Sequence, residues 1–254
     1  MSEPALESIL EIAQEAAMAA GRRTLGWFGA AVAEMKSDGT PVTPADRESE
    51  ATLRRIISRA FPNHGILGEE MGETPGTEPF RWIIDPLDGT RSFVHGVPLY
   101  GVLVGVEYRT EPVVGVIYLP ALGEMIAAAT GLGCTWNGRR CHVSTVESVD
   151  EALLCATSVR QARTRGPGYD VLSRAVRMER TWGDCYGYAL VATGRAEIAL
   201  DDRAAVWDVA ALLPILEEAG GKLTDWAGRR TIRGGEALAS NGHLHEQVVA
   251  ILGG

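Results

Sequence analysis

The spacing of apolar residues predicts two helices in the first quarter of the chain. Leucine, isoleucine and alanine recur at helical intervals across residues 5–28, which is typical of an amphipathic helix packed on a core. A second helix is predicted to begin after Thr43, with Pro44 at its first position and Asp46 in its first turn. Its apolar residues continue to about Ala60.

The segment between these helices, residues 29–43, has no regular pattern. We predict an irregular, hairpin-like stretch around Asp38-Gly39. Lys36 lies here, and we predict a solvated surface side chain. The alternative is a lysine that approaches a phosphate from a mobile loop.

Short apolar runs predict a sheet in the middle of the chain. Residues 65–68 and 82–84 have the composition of short buried strands. Further segments predict an antiparallel meander that forms most of a central sheet: 100–108, 112–118, 124–129 and 134–136, the last followed by the hairpin signal Asn137-Gly138.

Strands and helices alternate in the second half. Strands are predicted at 153–158, 196–200, 222–225 and 237–240, and helices at 169–180, 189–193, 206–218 and 243–252. No repeat or linker interrupts the pattern, so we predict one compact α/β domain over residues 1–254, with halves of roughly 1–143 and 144–254.

Composition narrows the function. The chain is 46% hydrophobic and 22% charged, as in soluble globular proteins, and its net charge of −9 argues against nucleic acid or an anionic membrane as a partner. The four cysteines form no C-x-x-C pair, which predicts reduced, buried thiols in a cytoplasmic protein. We find no signal peptide or membrane-span pattern.

The most informative stretch is a strand that ends in two acids. Asp85 and Asp88 follow the apolar run, and Pro86 is expected to end the strand because it cannot donate to a sheet. Gly89 permits a tight turn, and Thr90 is predicted to be the N-cap of the next helix. Carboxylates bind hard cations and backbone N–H groups bind phosphate, so the stretch favours metal-assisted phosphate chemistry. An ordinary Asp-rich turn is the alternative.

Other acids occupy comparable positions. Glu69 and Glu70 follow the strand at 65–68, and acids that follow neighbouring strands meet at one sheet edge. Asp208 opens an otherwise apolar helix and could be a further cation ligand. As first-turn acids, Asp46 and Asp208 could instead simply complement helix dipoles.

Three separated motifs carry a resemblance to a known family. The sequences Gly68-Glu69-Glu70, Asp85-Pro86-Leu87-Asp88-Gly89-Thr90 and Trp207-Asp208-Val209-Ala210-Ala211 resemble the signatures of the inositol monophosphatase family. The resemblance covers essentially the whole chain. It implies an αβαβα sandwich like that of fructose-1,6-bisphosphatase and a Mg²⁺-dependent phosphomonoesterase with two or three Mg²⁺ ions per active site.

The resemblance also implies residue roles. Metal ligation is expected from the Glu69, Asp85, Asp88 and Asp208 side chains and the Leu87 carbonyl. Asp46 is expected to act from the periphery and Glu70 to lie nearby. Backbone N–H groups of Gly89 and Thr90 are expected to hold the phosphate, and Glu69 and Thr90 to orient the attacking water. In this scheme one metal ion activates the water and a second stabilises the leaving oxygen.

The stretch from Ile84 to Gly101 and residues 183–188 resemble the histidinol-phosphatase branch of the family. L-histidinol phosphate carries an ammonium and an imidazole, for which Asp184 and Asp201 could supply charge-assisted hydrogen bonds. Tyr186 or Tyr188 could stack on the imidazole. The alternative is that Asp184 caps a helix and that the tyrosines belong to the core or an interface.

Other functions remain open at this stage. An inositol-1-phosphate or broad sugar-phosphate phosphatase would share the metal core, whereas a non-catalytic binding protein would have no reason to keep so many acids together. A homodimer is expected from the resemblance alone.

Overall fold

The structure is a computed structural model that describes residues 5–37 and 39–254. The predicted turn at Asp38 therefore lies outside the described residues. Each helix is given with its bounds: α1 (Leu6–Leu25), α2 (Pro44–Ala60), α3 (Thr90–Val94), α4 (Val159–Ala162), α5 (Gly168–Ala175), α6 (Asp184–Ala192), α7 (Val206–Val209), α8 (Leu212–Glu218) and α9 (His245–Gly253). Short 3-10 turns cover Val149–Glu151 and Arg163–Arg165.

The strands form three sheets. Their bounds are β1 (Glu34–Met35), β2 (Pro41–Val42), β3 (Gly65–Gly68), β4 (Gly72–Thr74), β5 (Phe80–Asp88), β6 (Gly101–Tyr108), β7 (Glu111–Leu119), β8 (Glu124–Ala129), β9 (Gly133–Trp136), β10 (Arg139–Arg140), β11 (Leu153–Ala156), β12 (Met178–Arg180), β13 (Ile198–Asp201), β14 (Lys222–Thr224) and β15 (Ala237–Ser240).

The predicted meander is confirmed. The large sheet has eight strands in the order β10-β9-β8-β7-β6-β5-β3-β4, in which only β3 and β5 pair in parallel. Asn137 and Gly138 both have positive φ, at 49° and 75°, as a type I′ hairpin requires. The small sheet has the order β12-β11-β13-β15-β14, and β1 and β2 form a separate two-stranded ribbon.

The layers stack as an αβαβα sandwich, as the family resemblance implies. Helices α1 and α2 cover one face of the eight-stranded sheet through a cluster that includes Ile9, Leu53 and Trp82. Helices α6, α7 and α8 fill the space between the two sheets. Helices α5 and α9 cover the outer face of the small sheet, with Leu172 and Val248 fully buried.

Several predicted helices in the second half have wrong bounds. The helix predicted for 169–180 ends at Ala175, because Val176 is extended and Met178–Arg180 pairs with β11. The helix predicted for 189–193 begins earlier, at Asp184. The helix predicted for 206–218 is divided into α7 and α8, where Pro214 has no N–H to donate to the Ala210 carbonyl. Within the described residues, no helix combines the length and apolar character needed to cross a membrane.

Candidate active site

Asp85 and Asp88 lie on an irregular end of β5. The strand continues to Asp88, so the prediction that Pro86 ends it is wrong. The pairing with β6 shifts between Asp85 and Asp88, and β3 ends opposite Ile84, so Pro86 needs no ladder hydrogen bond. Asp85 Oδ1 accepts a hydrogen bond of 2.9 Å from the Leu87 N–H. The irregularity places both carboxylates at one end of the sheet.

Asp208 reaches this end from α7, in the layer between the sheets. A Cβ on Gly105 would lie 2.7 Å from the Ala210 carbonyl carbon, and one on Gly115 would lie 2.0 Å from the Ala211 oxygen. Glycine at both positions therefore lets the end of α7 rest directly on the sheet. The Ala205 N–H donates to Asp208 Oδ2 at 2.7 Å, which fixes the carboxylate at the start of the helix.

The three aspartates form a compact ligand set. Each of Asp85, Asp88 and Asp208 offers a carboxylate oxygen, and these oxygens all lie within 4.8 Å of one another. Among the described residues, no lysine or arginine forms an ion pair with any of the three. Buried like charges without a counter-charge are unfavourable, and a bound cation would relieve this.

The electrostatics of the cluster support the same conclusion. Burial, followed by the charges of Glu69 and the other aspartates, raises the pKa of Asp85 well above its ordinary value. Burial also raises the pKa of Asp88, with Asp184 and Asp208 adding to the effect. The pKa of Asp208 is raised to about 7, chiefly by burial and then by Glu69. These carboxyls are poorly compensated within the protein and suited to a hard divalent cation.

Glu69 forms an ion pair with Lys36, a residue that the sequence analysis predicted to be a solvated surface side chain. The prediction that Lys36 is a solvated surface side chain is wrong, because its Nζ lies 2.8 Å from Glu69 Oε1 and 2.5 Å from Glu70 Oε1. Burial opposes its charge, but the bonds to both glutamates raise the pKa of Lys36 above its ordinary value. The β1–β2 ribbon thus reaches the cleft, which Thr40 and Pro41 help to line.

Asp46 and Thr90 form a second polar group beside the aspartates. Thr90 Oγ1 lies 3.3 Å from Asp46 Oδ1 and 3.1 Å from the Leu87 carbonyl oxygen. Asp46 is almost fully buried and accepts hydrogen bonds from the Thr43 N–H and hydroxyl, in a capping box. Burial raises the pKa of Asp46, and the hydrogen bonds from Thr43 oppose this shift. The N-cap of α3 is Gly89, with φ at 82°. The prediction that Thr90 is the N-cap is therefore wrong by one residue, because Thr90 is the first residue of the helix.

A cleft of about 280 Å³ opens over these groups. Its lining includes the predicted residues Glu69, Asp85, Leu87, Asp88, Gly89, Thr90, Asp184 and Asp208. It also includes Arg91, Ser92, Thr157 and Thr181, which the sequence analysis missed. Arg91 directly follows Thr90 and could have been found from the motif. Thr157 follows β11, and no local pattern brings it to β5.

Asp184 lies beside the turn at Gly89. A Cβ on Gly89 would lie 3.2 Å from Asp184 Oδ2, so the two residues are in contact. The Asp184 backbone has a positive φ of 50°, and its N–H donates to Thr157 Oγ1 at 2.7 Å. Burial raises the pKa of Asp184 to about 6, and the Arg91 charge opposes the shift. Asp184 is therefore a carboxylate of the cleft that does not belong to the three-aspartate cluster.

Asp201 and the two tyrosines do not line the cleft. Tyr188 is buried and its hydroxyl donates to Asp201 Oδ2 at 2.9 Å. Burial raises the pKa of Asp201 to about 7, with hydrogen bonds from Thr157 and Tyr188 opposing the shift. Tyr186 packs against the core between the sheets. The structure therefore favours the alternative that both tyrosines belong to the core, and Asp201 lies behind Thr157.

Comparisons with known proteins agree with this fold and cleft. A family model described as "Inositol monophosphatase family" matches residues 5–253. A histidinol-phosphatase of Chlorobaculum parvum is 43% identical, over 96% of each chain. An inositol-1-monophosphatase of Synechocystis is 36% identical, over 96% of this chain and 88% of that protein. The crystal structure of the extragenic suppressor protein suhB from Bartonella henselae has a TM-score of 0.91 at 30% identity, covering 96% of this chain and 98% of that one.

The αβαβα sandwich and the cluster of acidic residues in its cleft are those of a phosphatase fold. The chain belongs to the inositol monophosphatase family. It is a phosphoric monoester hydrolase.

Proposed function

We propose that the protein is a Mg²⁺-dependent phosphatase that hydrolyses L-histidinol phosphate to L-histidinol and phosphate, a step of histidine biosynthesis. The observation that carries the proposal is the position of Asp184. This carboxylate lies next to Gly89 yet outside the three-aspartate cluster, where it can meet a cationic group of a phosphate ester. The Chlorobaculum relative, a histidinol-phosphatase by name, supports the same substrate.

Two or three Mg²⁺ ions would be held by Glu69, Asp85, Asp88, Asp208 and the Leu87 carbonyl. The donor set fits, since it consists of oxygen ligands and includes buried carboxylates without a basic partner. When bound, the ions would activate water, neutralise phosphate charge and stabilise the leaving oxygen.

The protein would supply positioning around the phosphate. Backbone N–H groups of Gly89 and Thr90 would hold the phosphate oxygens in the cleft. The Glu69 carboxylate and the Thr90 hydroxyl would orient the attacking water. Asp46 would hold the Thr90 hydroxyl in place, since their oxygens are 3.3 Å apart and Asp46 is itself fixed by Thr43.

The organic part of the substrate would lie towards Asp184. A carboxylate there gives charge-assisted hydrogen bonds to an ammonium or imidazolium, each stronger than a neutral hydrogen bond. Asp201 would act indirectly, through Thr157, since Thr157 receives the Asp184 N–H and lines the cleft.

A second candidate substrate is inositol 1-phosphate, which the name of the Synechocystis relative suggests. An inositol is neutral and needs hydrogen bonds directed at its hydroxyl groups. Thr157, Thr181 and Ser92 in the lining could make such bonds.

Phosphate release from the two esters, measured side by side with Mg²⁺ and with EDTA, tests the proposal. We expect kcat/KM for L-histidinol phosphate to exceed that for inositol 1-phosphate by about a hundredfold, or about 2.7 kcal/mol. Equal or reversed preference would refute the substrate. Release that continues unchanged in EDTA would refute the metal requirement.

We also propose a homodimer that acts in the cytoplasm on a small phosphate ester, with no nucleic acid partner. The net charge of −9 disfavours a polyanion. Light scattering coupled to size-exclusion chromatography should give twice the chain mass. A single-chain mass would contradict the dimer.

A further inference from the structure

Two cysteines outside the cleft lie in contact across a hairpin. Cys134 is in β9, and Cys141 directly follows β10. Their Sγ atoms are 3.5 Å apart, and the Cys141 N–H donates to the Cys134 carbonyl at 3.2 Å. The ladder pairs Arg140 with Thr135, so Cys141 stands opposite Cys134. Opposed residues of a hydrogen-bonded antiparallel pair have Cα atoms about 5.5 Å apart, within the range that a disulfide needs.

The two thiols differ in charge environment. Hydrogen bonding to Cys134 lowers the pKa of Cys141. Burial opposes this shift, and the charges of Arg140 and Arg195 add to it. The same hydrogen bond and burial raise the pKa of Cys134. Cys141 is also the more exposed of the pair, at 9% against 1%. Because Cys141 is the more exposed thiol and has two arginine charges nearby, we expect peroxide to react there first, and Cys134 is the neighbour able to resolve its oxidised form.

We propose that Cys134 and Cys141 are an oxidative modification site, at which hydrogen peroxide converts the two thiols to a disulfide. The Cys141 thiolate attacks one peroxide oxygen. The O–O bond breaks, an S–O bond forms, and the released hydroxide takes a proton to become water. Cys134 then gives up its proton and its sulfur attacks Cys141 Sγ. The S–S bond forms as the S–O bond breaks, and the hydroxyl leaves as a second water.

In the overall reaction, two thiols and one hydrogen peroxide give one disulfide and two water molecules. A dithiol reductant reverses the reaction by thiol–disulfide exchange. The site is separate from the proposed phosphatase reaction, because neither cysteine lines the cleft.

The other two cysteines provide internal controls. Burial raises the pKa of Cys155 to about 12, and Glu197 adds to the shift. Burial and then Asp88 raise the pKa of Cys185 well above its ordinary value. Among the described residues, neither thiol forms a hydrogen bond with a second cysteine as Cys134 and Cys141 do, so we expect both to remain reduced.

Mass spectrometry of the native protein after a small molar excess of hydrogen peroxide tests the proposal. We expect the loss of two hydrogens, reversed by dithiothreitol. Trypsin cleaves after Arg139 and Arg140, so a non-reduced digest should contain the 110–139 peptide, which carries Cys134, joined by a disulfide to the 141–160 peptide. Because the second peptide contains both Cys141 and Cys155, the digest is repeated with Cys155→Ala, in which the two peptides should still be joined.

Two variants separate the steps. In Cys134→Ala, peroxide should leave a Cys141 sulfenic acid that dimedone traps. In Cys141→Ala, Cys134 should remain a free thiol. Four alkylatable thiols in the wild-type protein after peroxide would overturn the proposal, as would a disulfide that joins any other pair.

Discussion

The two ends of the β5–β6 pair place buried carboxylates in opposite surroundings. At one end, Glu107 is almost fully buried and lies between two arginines, with Arg81 Nη2 3.3 Å from Oε2 and Arg233 bonded to Oε1. At the other end, Asp85 and Asp88 meet Asp208 without an ion-pair partner among the described residues. The same strands therefore carry one neutralised acid and one uncompensated cluster.

The difference separates structural acids from functional ones. An acid that pairs with arginine joins parts of the fold, here β6 to the loop that carries Arg233. A cluster of acids without cations costs stability unless something outside the chain neutralises it. Four substitutions, each with an isosteric amide, test whether the two ends of the strand pair differ in this way.

The largest effect is expected from Asp88→Asn. The amide can still accept the hydrogen bond from the Cys185 N–H, but it loses the charge that would hold a cation. We expect kcat/KM for phosphate release to fall about a thousandfold, or about 4 kcal/mol. Steady-state kinetics with saturating Mg²⁺ measures this, and circular dichroism should show an unchanged fold. Activity within tenfold of wild type would contradict the role.

Asp208→Asn is expected to change how stability depends on pH in the metal-free protein. The folded-state pKa of Asp208 is raised to about 7, so the folded protein binds its proton more tightly than the unfolded chain. This group therefore favours folding below about pH 4, and that contribution is lost as the pH rises through about 7. In EDTA at pH 7.5, Asp208→Asn should be more stable than wild type by about 2 kcal/mol.

Urea unfolding at pH 5 and pH 7.5 measures this effect. The stability difference between the two proteins should narrow at pH 5, and added Mg²⁺ at pH 7.5 should stabilise wild type more than the variant. A variant less stable than wild type at both pH values would show that the Asp208 charge is compensated within the protein.

Asp184→Asn should alter substrate preference more than catalysis in general. Loss of one charge-assisted hydrogen bond should lower kcat/KM for L-histidinol phosphate about thirtyfold, or about 2 kcal/mol. Inositol 1-phosphate should lose no more than about threefold, because its ring carries no charge. Asp170→Asn, at an exposed pair with Arg163, is the matched control. Equal losses on both substrates would refute a role in selectivity.

The smallest effect is expected from Glu107→Gln, and it has the opposite sign from that of Asp208→Asn. Both arginines reach solvent, so loss of their shared partner should destabilise the protein by about 1–2 kcal/mol. The loss should be equal with and without Mg²⁺, and kcat/KM should stay within about twofold. Urea unfolding under both conditions tests this. A Mg²⁺-dependent loss would link this end of the sheet to the cation site.

The sequence was most informative where local rules decide the structure. Thr43, Pro44 and Asp46 start α2 as predicted, and Asn137-Gly138 forms the predicted hairpin. The position of Glu69 directly after β3 also followed from local pattern.

Long-range contacts account for what the sequence did not predict. Pro86 stays within β5 only because a bulge and the end of β3 remove the need for its N–H. Lys36 is paired because the β1–β2 ribbon folds over Glu69. The burial of Asp201 behind Thr157 depends on packing between β11 and β13, which no local pattern encodes.

Calorimetric titration of Mg²⁺ into EDTA-treated, dialysed protein measures whether the aspartate cluster binds a cation. The uncompensated aspartates predict saturable binding in wild type and in Glu107→Gln, weakened at least about tenfold in Asp88→Asn, or about 1.4 kcal/mol. Equal Mg²⁺ affinity in Asp88→Asn and wild type would contradict the assignment of this cluster as the cation site.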